Sequence, residues 1–491
     1  MKITFIEPSF SKINADDAIF PFGFASLGAL LKKNNFDIEY ILPAAQKLSF
    51  EKTVLKALES NPDIFAIGGL LPYMSSIAEI VDVLKKKCPE KTVIIGGPIV
   101  THSPILALTK INADLAIKGE GEIPLIELVK CLNESKPFDS IKGLVYRKNG
   151  QIIDNGMPEL MDINDIPFPD WEDFPMEYYL SSNWWLPGWS RSKPPKVIHW
   201  MFSRGCPMKC NFCVSGTVPR LKNIDDANRE LDIIIERFNP DYIILIDDFL
   251  VQEKKFIRGF CQHIVEKQYN FKFSATARAS SIDLETLNLL KSAGCEVLFY
   301  GLECANDKIL KFMKKGITCK DIDIAVSLTK SVGIHPMVSI MFGQPGEVMS
   351  DFYKSIKKAI SVSTPDNPAP NIASVMQLLT FPGTGIYQYA QSKGYFSDEL
   401  DYWEKYGDNF RINYTKYSQD IITDMVNSGN TMIRWKYYIC MAKSFKKQMF
   451  ENLLNSNVKL LKTFYKTKSI KNGLVNFRLM IFFIKCILLK K

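Results

Sequence analysis

The sequence predicts an α/β protein made of two successive parallel-sheet units with a helical C-terminus, and three observations lead there. The chain has 491 residues, too many for one ordinary core, so more than one folding unit is expected. Short, continuously apolar segments alternate with helical patterns through roughly the first 395 residues, as parallel strands covered on both faces require. Several of those segments run directly into glycine. In parallel sheets ligands bind at the carboxyl ends of strands, and glycine there lets a backbone approach closely.

Residues 1–150 read as a doubly wound sheet of the Rossmann or flavodoxin type. Strands are expected at residues 3–6, 38–41, 64–67, 93–95 and 115–117, with helical patterns at 27–33, 54–58 and 77–87. The strand ends are Gly68-Gly69, Gly96-Gly97-Pro98 and Gly119-Glu120-Gly121-Glu122. A hairpin follows, turning on Lys148-Asn149-Gly150. Residues 151–195 form an aromatic and proline-rich linker, expected to wrap on a neighbouring surface because a free linker carries fewer aromatics. Residues 196–395 resume the alternation, with strands expected at 199–203, 242–246, 271–275, 297–300, 337–342 and 374–379. Six such units make a partial (β/α)6 barrel with functional groups at the strand C-termini. Residues 396–491 are a C-terminal helical region, basic beyond Arg434.

Composition narrows the function. Apolar residues at 46% and charged residues at 23% are those of a globular chain. The N-terminus, Met1-Lys-Ile-Thr-Phe-Ile, reads as a first strand rather than a signal peptide, so a cytoplasmic protein is expected. The net charge of +8 belongs to the tail, where residues 434–491 carry fourteen Lys or Arg against the single acid Glu451. Interleaved with Leu, Ile and Phe, that tail suits peripheral contact with an anionic membrane or packing on the barrel. It lacks the alternating strands of a small RNA-binding barrel, so a nucleic-acid partner is disfavoured. Eleven cysteines without an export signal point to metal or redox chemistry rather than a disulfide framework. Eight of them (Cys88, Cys131, Cys261, Cys295, Cys304, Cys319, Cys440 and Cys486) are scattered and read as buried thiols.

The remaining three form Cys206-Pro207-Met208-Lys209-Cys210-Asn211-Phe212-Cys213, spaced C-x3-C-x2-C. Three thiolates on one loop can hold three irons of a cubane [4Fe–4S] cluster and leave the fourth open to substrate. The competing reading is a zinc site completed by a distant ligand such as His199. Zinc sites favour paired C-x2-C units, and the chain has no second pair.

With Phe212 ahead of its last cysteine, this motif resembles that of the radical S-adenosylmethionine superfamily. The resemblance implies that Cys206, Cys210 and Cys213 bind the cluster, whose open iron takes the amino and carboxylate groups of S-adenosylmethionine. One electron, from an external donor of flavodoxin or ferredoxin type, then yields methionine and a 5′-deoxyadenosyl radical. Asp247 and Asp248, ending the second strand, stand where the superfamily binds the methionine end; solvated strand-end acids are the alternative. Arg278 and Glu303, after the third and fourth strands, are candidates for binding the carboxylate and ribose or one another. The turns at Phe342–Glu347 (residues 342–347) and residues 381–384 follow in the superfamily's order.

The N-terminal unit resembles the cobalamin-binding domain fused ahead of one subgroup of these enzymes. Pro21-x-Gly23, Gly96-Gly97-Pro98 and Gly119-Glu120-Gly121-Glu122 carry that resemblance, and Gly96, Gly97, Pro98, Gly119 and Glu120 are the implied contacts. No Asp-x-His-x-x-Gly motif follows the first strand, so a protein histidine of that kind is not expected under cobalt; His102 lies near the corrin edge or is a plain loop residue. A degenerate domain without cofactor is the alternative. The subgroup implies methyl transfer to an unactivated carbon of a small molecule or lipid, or a cyclisation or rearrangement. A methylthiotransferase needs three further N-terminal cysteines, and residues 1–150 offer only Cys88 and Cys131. A non-catalytic, metal-stabilised binding protein is the reading from another class.

Overall fold

A computed structural model describes residues 1–8, 20–181, 195–215, 218–248, 250–362 and 373–444. The basic tail beyond Ser444, and with it the expected membrane contact, lies outside the described residues.

The first sheet contains β1 (Lys2–Ile6), β2 (Asp37–Ile41), β3 (Ile64–Gly68), β4 (Thr92–Gly96), β5 (Leu115–Ile117), β6 (Leu144–Lys148) and β7 (Gln151–Asp154). Their order is β2-β1-β3-β4-β5-β6-β7. The first five pair in parallel and the β6–β7 hairpin adds two antiparallel strands at the edge. The chain order reverses between β1 and β3, which makes that point the crevice where such sheets take ligands. Strand period divides the sheet between two cores. Ile3 and Phe5 point into one with Leu31 and Ile38; Ile6 joins the other with Phe65, Ile67, Ile77 and Val93. Helix Phe50–Ser60 shows the local encoding. The Ser49 side chain accepts from the Lys52 N–H at its start, and Asn61 ends it in the left-handed region at φ 42°.

The second sheet holds β8 (Val197–Trp200), then, after the short ribbon β9 (Ser203–Arg204) with β10 (Arg220–Leu221), β11 (Tyr242–Leu245), β12 (Lys272–Ala277), β13 (Cys295–Glu303), β14 (His335–Phe342) and β15 (Ala373–Gln377). The order β15-β14-β13-β12-β11-β8 is parallel throughout, as the six-unit reading expects. Ile198, Trp200, Ile243, Leu245, Phe273 and Ala275 face the helices outside. Val197, Tyr242 and Ile244 pack together on the inner face, and so do Val297 and Met337.

Two contacts lock the units together. Trp171 and Phe174, downstream of the hairpin, pack with tilted rings on Phe20 from the first unit, and Trp171 also packs on Trp200 of β8, with ring centroids 4.8 to 5.3 Å apart. Beyond the barrel, Phe396, Tyr402 and Phe410 bury against the other face of the first sheet. Helices Glu399–Tyr406 and Gln419–Ser444 give the expected helical C-terminus. Among the described residues no helix is long and apolar enough to cross a membrane. Of the scattered cysteines, Cys261, Cys295 and Cys304 are buried and Cys88, Cys131 and Cys319 half-buried.

Candidate active site between the two sheets

The ribbon β9–β10 closes the base of the loop that carries the three cysteines, pairing Arg204 with Arg220 across the strands. Gly205, at φ 80°, turns the chain into the loop in a conformation that a side chain would strain. Asn211 then fixes its centre. Its N–H donates to the Met313 carbonyl (2.9 Å), its side-chain amide to Phe312 (2.9 Å), and its own carbonyl accepts from Ile386 N–H (2.7 Å). Helix Gly385–Ser392 comes so close that a Cβ on Gly385 would lie 3.1 Å from the Asn211 Cβ.

Cys206, Cys210 and Cys213 line one cavity of about 340 Å³ with Gly383, Thr384 and Gly385. Among the described residues no three metal-binding side chains converge to coordinating distance, so the thiols share a pocket without a ready-made centre. Burial pushes the Cys206 and Cys210 thiols up, while Met208 N–H on Cys206 and Lys315 near Cys210 work toward thiolate. Ser215 N–H donates to Cys213 Sγ (3.4 Å). Three soft donors on one loop, two of them already receiving N–H groups, fit an iron–sulfur cluster. His199 does not line that cavity; it is buried on β8, with Nε2 unbonded among the described residues and its pKa pushed down to about 4 by burial. It supplies no fourth ligand for zinc.

The other sequence candidates gather around this loop with altered roles. Asp247 is 3% exposed, and its Oδ1 accepts from Phe202 N–H (2.8 Å), Ser203 N–H (2.6 Å) and the Ser203 hydroxyl (2.6 Å). It therefore ties the end of β11 to the strand entering the loop, and only the unbonded Oδ2 remains for another partner. Burial raises its pKa to about 6 against those bonds. Asp248 is exposed and its charge reaches Cys206. Arg278 and Glu303 do not pair with one another. The Arg278 guanidinium donates to the Lys315 and Gly316 carbonyls (2.6 and 2.9 Å), whereas Glu303 is bound by Lys315 Nζ (2.8 Å) and the Ser339 hydroxyl (3.2 Å). Glu303 sits at a register shift between β13 and β14 with φ 59°, strain of the kind that collects at functional sites. Lys315 was missed by sequence reasoning, as was Asn211. Burial works against the Lys315 charge but Glu303 outweighs it, and the ammonium lies 5.6 Å from the Phe212 ring centroid. Phe212 itself packs on Cys304, Ile309, Leu310 and Met313.

A second cavity, about 1120 Å³, opens over the carboxyl edge of the first sheet. This exceeds the volume that drug-sized ligands need. Gly96, Gly97, Pro98, Gly119 and Glu120 all line it, and so do Met201 and Arg204 from the approach to the cysteine loop. Gly97 has φ 86°, and a Cβ there would sit 3.0 Å from the Gly69 carbonyl oxygen; at Gly119 (φ 77°) it would meet Pro158 at 2.8 Å. Close packing against the protein itself thus requires glycine at both positions, and as lining residues they leave the cavity edge without side chains, which fits a large planar ligand such as a corrin. His102 lies away from it, against Gly383 beside the cysteine pocket.

Glu120 also serves another purpose. Arg204 Nη1 bonds Glu120 and Glu122 at 2.8 Å each, and Arg220 pairs with Glu120 as well. Burial disfavours the Arg204 charge, but Glu122 and Glu120 more than offset that and raise its pKa. The Gly119–Glu122 edge (residues 119–122) of the large cavity is thus ion-paired to both ends of the cysteine loop.

Comparison with known proteins agrees with this geometry. Residues 12–129 match the B12 binding domain and residues 200–359 the radical SAM superfamily. An uncharacterized methyltransferase of Pyrococcus horikoshii is 27% identical over 376 residues, covering 75% of this chain and 78% of that one. The anaerobic magnesium-protoporphyrin IX monomethyl ester cyclase of Cereibacter sphaeroides is 24% identical over 404 residues, 79% of this chain but 63% of the cyclase, so the chain spans less than two thirds of that relative. The solved structure of the cobalamin-dependent S-adenosylmethionine radical enzyme OxsB, with aqua-cobalamin and S-adenosylmethionine bound, superposes with a TM-score of 0.71. It is 18% identical, covering 94% of this chain and 71% of OxsB, a likeness of fold. With one match on the sheet beneath the large cavity and the other on the barrel bearing the cysteine loop, the chain belongs to the radical S-adenosylmethionine enzymes that carry a cobalamin-binding domain.

Proposed function

We propose that the protein is a cobalamin-dependent radical S-adenosylmethionine enzyme that transfers a methyl group to an unactivated carbon of a small molecule or lipid. One observation carries the reading. The large glycine-edged cavity reaches the base of the cysteine loop, where Met201 and Arg204 line it two to five residues before Cys206. In this reading Cys206, Cys210 and Cys213 hold the cluster, and Asp248, the free oxygen of Asp247, Arg278 and the Glu303–Lys315 pair surround S-adenosylmethionine. Phe212 backs the loop, while Gly96, Gly97, Pro98, Gly119 and Glu120 face the corrin. When bound, the cluster and cobalamin supply one-electron cleavage of S-adenosylmethionine and a transferable methyl group.

The chain's own residues position and exclude. Asp247 fixes the strand entering the loop, Asn211 holds the loop's centre, and the Arg204 network sets the distance between the two sites. Apolar inner-face residues such as Ile244, Val297 and Met337 keep water from a radical. The Cys213 face of the loop is exposed, which gives an external donor of flavodoxin or ferredoxin type its approach. The cyclase relative favours ring formation as the second reading.

The test is anaerobic turnover of protein loaded with iron, sulfide and cobalamin, using S-adenosylmethionine with a deuterated methyl group and a strong reductant. Formation of 5′-deoxyadenosine with label on the bound cobalamin is expected. Cleavage without label transfer would favour the cyclisation reading, and absence of cleavage would overturn both.

A further inference from the structure

The large cavity holds one acid that its surroundings do not satisfy. Glu7 follows β1 at the point where the strand order reverses, and its N–H continues the ladder by donating to the Ile41 carbonyl (3.0 Å). The backbone is therefore fixed, and the side chain lines the cavity. Its Oε2 is buried and, among the described residues, has no hydrogen-bond partner. The other acids on the wall are provided for. Glu120 and Glu122 are ion-paired, Glu51 accepts from the Ser49 hydroxyl (2.8 Å), and Glu79 is exposed to water. Of the cavity's cations, Arg204 is committed to Glu120 and Glu122, and Lys47 is exposed. Burial raises the Glu7 carboxyl to about 7, and the ionisable groups that feel its charge are the phenols of Tyr73 and Tyr179. A buried acceptor left unbonded at a ligand crevice lowers stability unless something occupies it.

We propose that Glu7 is the polar anchor of this cavity, its Oε2 accepting a hydrogen bond from a primary-amide N–H on the periphery of a bound corrinoid. The inference rests on the reading that the cavity takes cobalamin. It supplies a polar contact from the strand end that lacks the histidine motif, through the edge of the macrocycle rather than the metal.

An anchor kept for a ligand has a signature that a structural residue lacks: its removal should stabilise the empty protein and weaken binding. Glu7→Leu and the near-isosteric Glu7→Gln are compared with the unsubstituted chain, without cofactor by thermal melting and by titration with hydroxocobalamin followed in the visible spectrum. Expected are a higher melting temperature for both variants and a dissociation constant raised about tenfold or more for Glu7→Leu, since the ligand's buried amide N–H then loses its acceptor. Glu7→Gln, which keeps an acceptor oxygen, should lose less. A lowered melting temperature in Glu7→Gln, or unchanged affinity in Glu7→Leu, overturns the anchor alone. Failure of the unsubstituted chain to bind hydroxocobalamin overturns the cobalamin reading and the anchor with it.

Discussion

Cys213→Ala abolishes 5′-deoxyadenosine formation, to below detection, and leaves cobalamin binding at its original affinity. The split follows from position. Cys213 is the exposed member of the three, so truncation removes one thiolate without opening a cavity in the core. A cubane held by two thiolates has lost a third of its protein ligands, and the electron that splits S-adenosylmethionine no longer has a stable source. The large cavity is lined from the first sheet and from Met201 and Arg204, none of which touches Cys213 in the pairings described above. Product analysis and a cobalamin titration on the same preparation check both halves. Loss of cobalamin along with the radical chemistry would mean that the two sites are one folding unit.

Arg204→Met has the larger effect on stability. The guanidinium bonds two acids at once, and the Glu122 side chain is only 5% exposed. Removing the cation leaves Glu122 buried and uncompensated, and breaking a buried pair in this way costs about 3–5 kcal/mol. The substitution also leaves β9 tied to the edge of the first sheet only through Arg220 on β10, so iron content after reconstitution should fall together with the melting temperature. Adding Glu122→Gln to Arg204→Met should recover part of the lost stability, because the stranded charge goes with it. Melting of the single and double variants checks the coupling. A single variant as stable as the original chain would show that Arg220 alone holds Glu120 and the loop.

How much of this the sequence reveals depends on the range of each signal. Strands β1 to β5 and the six barrel strands are legible because each is a short apolar run between helical patterns, and the structure moves their ends by at most three residues. Fully buried parallel strands have no other way to be written. The cysteine loop is legible because spacing and ligand chemistry coincide. Partnerships set by topology leave no local mark. Arg204 and Glu120 are 84 residues apart and meet because β9 runs beside the end of β5. Lys315 follows another lysine in a loop without pattern, and only the approach of that loop to β13 makes it the partner of Glu303. Arg278 is turned to carbonyl oxygens instead, so of the two roles the sequence leaves open for it and Glu303, pairing with one another is not the one adopted. Asp247 was legible as a strand-end acid, but not as the acceptor that holds Phe202 and Ser203 in place.

One chain is proposed to hold a three-cysteine iron–sulfur cluster and a cobalamin side by side. Anaerobic purification followed by reconstitution tests it most directly, with iron, sulfide, zinc and cobalamin counted on protein recovered from gel filtration. About four irons with matching sulfide, as a cubane cluster requires, and retained cobalamin are the expected result. Zinc alone, with neither sulfide nor cobalamin retained, would contradict it.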